Sequence, residues 1–204
     1  MQHDLAGSSS VIPFRRQAGR KHDGSDEVLV REIGAGSKPA MRTLFARHQK
    51  PVYRFLCRML GDEAQAEDLT SEVFLTVWRQ AQRFEARSMV STWLLAIARY
   101  KAIAELRRRP GSMTDENFDT LSSPDDPEAA LQGKHRGEIL RKCLIGLSRE
   151  HREIIDLVYY HEKSVQEAAE IIGIPRNTVK TRMFYARKRL SELLELEGVT
   201  SVSF

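Results

Sequence analysis

Apolar residues recur along this chain three and four positions apart, the period of a helix with one buried face. The pattern sets in near Asp26 and holds to about Arg109. It resumes near Lys134 and runs to about Glu197. Between these stretches Pro110-Gly111, Ser122-Ser123-Pro124 and Pro127 forbid long regular structure. No convincing alternating run of strand type and no internal repeat is present. Residues 1–24 are rich in Gly, Ser and basic side chains and lack periodicity, so they read as a disordered extension. The expected fold is all-α: two small helical domains over residues 25–109 and 134–197, a flexible linker over 110–133, and a short tail over 198–204.

In the second half, Ser164-Val165-Gln166-Glu167 has the form of a capping box, in which the Ser side chain caps the first turn and Glu167 reaches back. The helix it opens carries Val165, Ala168, Ala169, Ile171 and Ile172. It stops at Gly173, which takes a left-handed conformation cheaply. Ile174-Pro175 then opens another helix. Short helix, turn and second helix make a helix-turn-helix pattern. With about 100° per residue, Val179, Met183, Ala186, Leu190 and Leu193 share one stripe of the second helix. The opposite side carries Asn177, Lys180, Thr181, Phe184, Tyr185 and Lys188, flanked by Arg176, Arg182, Arg187 and Arg189. Such a face suits a DNA major groove: cations for phosphates, Asn, Lys or Arg for base edges, rings for thymine methyls. An ordinary solvated face would mix the signs and would not expose Phe184 beside Tyr185. Two earlier helices complete this domain's expected core. One, near 136–146, buries Ile139, Leu140, Cys143 and Leu144; the other, capped by Ser148, buries Ile154, Ile155, Leu157 and Val158.

In the first half, Asp62 is placed to cap a helix running to about Gln82. Its apolar residues fall in two stripes, Leu69, Val73 and Val77 on one and Phe74 with Trp78 on the other. One stripe is enough to close a bundle. The second, bordered by Glu67, Asp68 and Glu72, either docks a partner helix or is itself core. After a loop from Arg83 to Val90, Ser91-Thr92-Trp93 opens a helix that is apolar almost all round: Trp93, Leu94, Leu95, Ile97, Tyr100, Ile103 and Leu106. It ends in Arg107-Arg108-Arg109, which also suits the negative end of the helix dipole. A basic loop, a tryptophan and a cationic tail together form a candidate platform for unpaired bases, although Trp93 taken alone fits the core better.

Composition narrows the classes. Of 204 residues, 41% are apolar and 29% charged, which fits neither a membrane protein nor a wholly disordered one. The run Trp93–Ala98 falls far short of the about 20 residues a spanning helix needs. Val11–Phe14 is too short for a signal peptide, so a cytoplasmic location is expected. Cys57 and Cys143 cannot form a disulfide framework or a metal cage and read as small core residues. The net charge of +4 says little alone. Its distribution says more: residues 83–109 carry seven cations and two acids, 112–128 six acids and no cation, and 175–190 six cations and no acid.

At this point the sequence resembles the extracytoplasmic-function (ECF) group of the sigma-70 family. Ala66-Glu67-Asp68-Leu69-Thr70-Ser71-Glu72-Val73-Phe74 is similar to that family's polymerase-binding helix. Ser91-Thr92-Trp93-Leu94-Leu95-Ala96-Ile97-Ala98-Arg99, followed by the arginine triplet, is similar to its −10-element helix. Leu147, Arg152, the Ser164 box and Asn177-Thr178-Val179-Lys180-Thr181-Arg182 through Ala186-Arg187 are similar to its −35 helix-turn-helix. The chain departs from the family pattern at Ser71, often Gln there, at Tyr100, often Asn, and at Asn177, usually Gly.

The resemblance implies a promoter-specificity subunit with no catalytic residues, cofactor or metal. Asp68, Leu69, Glu72, Phe74 and Trp78 would bind the clamp helices of RNA polymerase's largest subunit. Arg87, Ser88, Ser91, Trp93, Arg99, Lys101, Arg107 and Arg108 would hold the melted −10 strand and a flipped-out base. Arg176, Asn177, Lys180, Thr181, Arg182, Phe184, Tyr185 and Lys188 would read the −35 duplex. An anti-sigma factor that restrains the protein until a stress signal is a further family expectation. Two other readings compete: a stand-alone helix-turn-helix regulator, which leaves the first domain unexplained, and a mimic that titrates an anti-sigma factor, which need not keep cationic faces. An enzyme is disfavoured. Gly34-Ala35-Gly36-Ser37 lacks the strand and third glycine of a dinucleotide loop, and the six histidines form no spaced metal pair.

Overall fold

The computed structural model describes residues 24–108 and 130–199. The N-terminal extension up to residue 23, linker residues 109–129 and the tail from 200 lie outside the described residues.

Helix ends follow the local chemistry. Helix α1 (Gly24–Gly34) has Asp26 and Glu27 in its first turn, where the dipole favours them. Helix α2 (Lys38–Leu60) starts at Ser37, whose hydroxyl accepts from the Ala40 N–H at 3.3 Å. It stops at Gly61, whose φ of 69° is left-handed. Helix α3 (Glu63–Gln80) is capped by Asp62, whose carboxylate accepts from the Gln65 N–H at 3.0 Å. A single 3₁₀ turn (Ala81–Arg83) leads to the loop before α4 (Val90–Arg108). These elements form the first bundle around Leu44, Phe55, Leu56, Val73, Val77 and Leu94. Asp26 fastens α1 to α2 through Arg47 and His48, each at 2.6 Å.

Helix α5 (Ala130–Ile145) begins inside the stretch expected to be linker. Helix α6 (Arg149–Ile155) is capped by Ser148 and widens into a π turn over Asp156–Tyr160. Helix α7 (Val165–Ile172) carries both halves of the capping box. Helix α8 (Arg176–Leu196) is the second arm of the helix-turn-helix. The second core gathers Ile154, Leu157, Ala168, Val179 and Ala186. Four expected core positions shift outward, Ile139 being half-buried. Leu194 is buried while Leu193, lying over Gly146, is half-buried. Leu140 stays 37% exposed because it borders an apolar groove with Tyr159 and Tyr160 rather than filling the core. Val158 is half-buried, because the π turn changes the facing of the residues it contains.

The two bundles pack against one another, with α4 wedged between α2 and α3 on one side and α7 on the other. That explains the apolar circumference of α4. A helix apolar all round is covered all round. Tyr100, 76% exposed, is the exception near its middle.

Candidate nucleic-acid interfaces

The first candidate surface is the outer face of α8. The left-handed Gly173, φ 75°, turns the chain sharply, and Pro175 precedes the first turn of α8. Val179, Met183, Ala186 and Leu190 anchor the helix, as the angular reading expected. Arg176, Asn177, Lys180, Thr181, Phe184, Tyr185 and Lys188 are all exposed. Phe184 and Tyr185 stand 59% and 54% exposed with their rings 5.4 Å apart, edge to face. Burying such rings is favourable, so their exposure marks a surface awaiting a partner. Arg182 differs from its neighbours: it is half-buried and pairs with Glu150 at 3.2 Å.

The second candidate surface, the loop before α4 and α4 itself, is arranged differently. Arg87 is exposed and ion-paired with Glu85. Ser88 is half-buried. Trp93 packs on Phe84 with ring centroids 4.7 Å apart, so it is part platform and part core. Lys101 donates to Glu72 at 2.9 Å, joining two residues expected on separate surfaces. Arg107 is exposed, and Arg108 pairs with Glu105 at 3.3 Å.

Ser91 and Arg99 are held by the other domain. The Lys163 ammonium donates to Ser91 Oγ at 2.6 Å, and Arg99 Nε donates to Glu153 Oε1 at 2.6 Å. Beside them Thr92, buried at 1% exposure, donates to Glu167 Oε1 at 2.8 Å. Burial pushes the Lys163 ammonium below its ordinary value despite the attraction of Glu167. Burial alone would raise Glu167. The Ser164 backbone and hydroxyl, the Lys163 cation and the Thr92 hydroxyl outweigh it and hold that carboxyl low. Sequence reasoning missed Lys163, Glu153 and Thr92. Nothing in a single chain marks a charge as buried by a distant segment, and Glu167 was legible as a cap alone.

The third candidate surface lies on α3. Asp68 and Glu72 are exposed; Leu69 is buried. The expected second stripe splits. Phe74 is 3% exposed and meets the Phe45 ring at 4.8 Å, whereas Trp78 is 37% and Leu75 55% exposed. Ser71 is exposed beside them. Both cysteines are buried, and burial raises both thiols, which leaves them unreactive. Among the described residues, no group of His, Cys, Asp and Glu is placed to hold a metal ion. No helix among them is long and apolar enough to cross a membrane.

Comparison with known proteins accords with this layout. The model of Sigma-70 region 2 matches residues 44–110, and that of Sigma-70 region 4 matches residues 137–190. The ECF RNA polymerase sigma factor SigL of Mycobacterium tuberculosis is 33% identical over 180 residues, 84% of this chain and 99% of the relative. SigK of Mycobacterium ulcerans is 28% identical over 179 residues, covering 84% and 95%. Among solved structures, the sigma factor RpoE in complex with the anti-sigma factor NepR from Bartonella quintana superposes with a TM-score of 0.60 at 28% identity, over 76% of this chain and 96% of that one. CnrH, solved with the cytosolic domain of CnrY, shares the fold at a TM-score of 0.62 and 24% identity, over 84% and 98%. With both regions matched in order and a relative aligned along nearly its whole length, the chain belongs to the ECF sigma factors of the sigma-70 family.

Proposed function

We propose that this chain directs RNA polymerase to promoters through three surfaces, acting as a cytoplasmic specificity subunit and not as an enzyme. Asp68, Glu72, Leu75 and Trp78 on α3 dock the polymerase, with Leu69 and Phe74 shaping that helix from beneath. Ser91, Trp93, Arg99 and Lys101, with Arg87, Ser88, Arg107 and Arg108 at the margins, hold the melted −10 strand. Unstacking a base costs a few kcal/mol, and stacking plus pocket contacts in the bound strand offset it. Arg176, Asn177, Lys180, Thr181, Tyr185 and Lys188 read the −35 duplex, with Phe184 offering an apolar contact and Arg182 braced by Glu150. An anti-sigma factor is the partner that restrains the protein.

The observation that carries this reading is the outer face of α8, where cations, amide and aromatic rings stand exposed on a helix-turn-helix arm with no acid between 175 and 190. Transcription in vitro with core polymerase tests it. Initiation at discrete sites supports the reading. Failure to bind core polymerase removes it and leaves a helix-turn-helix protein of another kind.

A further inference from the structure

A cavity of about 340 Å³ opens at the seam between the two bundles. Arg99 and Arg107 reach it from α4, Arg149, Glu150 and Glu153 from α6, and Arg182 from α8. Ile103, Leu106, Ile172 and Ile174 supply an apolar wall. The volume lies within the range of small-molecule sites, about 300–1,000 Å³, and so does the make-up: an apolar wall with a few convergent polar groups.

The charges around this cavity do not balance. Four guanidinium groups face two carboxylates, an excess of two cations. Both acids are already engaged. Glu153 accepts from Arg99 Nε at 2.6 Å and from Arg99 Nη2 at 3.4 Å, and Glu150 pairs with Arg182 at 3.2 Å. Among the described residues, Arg107 and Arg149 have no ion pair. Arg107 is exposed, so water hydrates it, but Arg149 is half-buried. Burial pushes the Arg149 guanidinium below its ordinary value; Glu153 opposes that shift, and the nearby Arg99 and Arg152 add to it. A cation drawn out of water is costly unless something pairs with it, and the acid beside Arg149 is held by Arg99.

The partner such a wall lacks is an anion. Guanidinium forks match phosphate oxygens two at a time. A terminal phosphate carries about −1.5 to −2 at neutral pH, close to the excess of the wall. A bare inorganic anion would leave the apolar wall wet, whereas a heterocycle covers it. We propose that this cavity is a nucleotide site, with phosphates on Arg107 and Arg149 and the base against Ile103, Leu106, Ile172 and Ile174. The site goes beyond the promoter reading and does not depend on it. Because its walls come from both bundles, a seated nucleotide stabilises their packing and raises the melting temperature.

Calorimetric titration of the full chain with ADP tests the site, with pyrophosphate and adenosine titrated alongside. ADP is expected to saturate one site and to raise the melting temperature. Pyrophosphate and adenosine, each lacking half of the contacts, should bind at least about tenfold more weakly. Arg149→Gln and Arg107→Gln should each weaken ADP about 10- to 100-fold, the loss of one charge-assisted contact. Arg42→Gln makes the same change of charge on an exposed position of α2, away from the cavity lining, and should bind ADP as the wild type does. Circular dichroism reads folding; should Arg149→Gln misfold, the exposed Arg107→Gln decides. Absence of saturable ADP binding by the wild type overturns the proposal. So does an equal loss in all three variants, which would be attraction to net charge alone. Pyrophosphate binding as tightly as ADP overturns the nucleotide assignment. The titration contains neither polymerase nor DNA, so failure of the promoter reading would show only in the transcription experiment.

Discussion

The two faces proposed to read DNA are built from similar residues and kept in opposite states. On α8, Lys180, Phe184 and Tyr185 stand exposed with Arg176 and Lys188, while Arg182 pairs with Glu150 and Arg189 with Glu192 at the flanks. On α4, Ser91, Thr92 and Arg99 each meet a side chain of the other domain. Residue type says what a surface can bind; neighbours decide whether it is available. The same division runs along α3, where Phe74 is core and Trp78, one turn on, is exposed. A covered residue fails by unfolding, a bare one by losing its partner.

That distinction orders the expected effects. Phe74→Ala should have the largest, removing a buried ring and lowering stability by about 3–5 kcal/mol, read by thermal or urea denaturation. A small loss would mean that Phe74 is not core. Lys180→Glu should reduce −35 duplex affinity by about 10- to 100-fold with melting temperature and polymerase binding unchanged. Intact promoter activity would remove Lys180 from the reading face. Trp78→Ala should weaken core polymerase binding by roughly tenfold, as loss of an exposed aromatic anchor does, with little change in Tm. The opposite pattern would place Trp78 in the core with Phe74.

Two smaller effects separate the faces by charge. Duplex binding through Arg176, Lys180 and Lys188 should fall with salt on a log–log slope of about −3, as three released counterions require. A flat response would contradict the electrostatic account. The second domain should answer to acid. Against the effect of burial, Glu167 is held below its ordinary value chiefly by its cap partner Ser164, so it stabilises the folded second domain above the ordinary carboxylate range and loses that contribution as pH falls through its lowered value. Circular dichroism melts at decreasing pH should show Tm falling more steeply in the wild type than in Glu167→Gln. An equal fall in both would remove Glu167 from the acid response.

Much of this was legible in the chain. The Ser164–Glu167 box, the left-handed Gly173 and the stripe from Val179 to Leu190 are local features, and local features fix local structure. Positions near the end of α8 were less legible: ideal angles favoured Leu193, but packing over Gly146 left it half-buried and put Leu194 inside. The start of α5 at Ala130 was hidden because Ser122-Ser123-Pro124 and Pro127 just upstream argued against helix. The apolar circumference of α4 did signal a second neighbour, but its identity, α7, depends on residues about 75 positions away, beyond the reach of any periodicity. The ion pairs across the seam were invisible for the same reason. A lysine before a capping box looks like surface until another domain covers it.

The most direct measurement is in vitro transcription by core RNA polymerase with the purified chain on genomic DNA, with start sites mapped. Discrete starts preceded by two shared sequence elements, dependent on the chain and lost with Lys180→Glu, are the predicted result. Polymerase that binds the chain yet starts nowhere, or starts at the same places without it, would contradict the account.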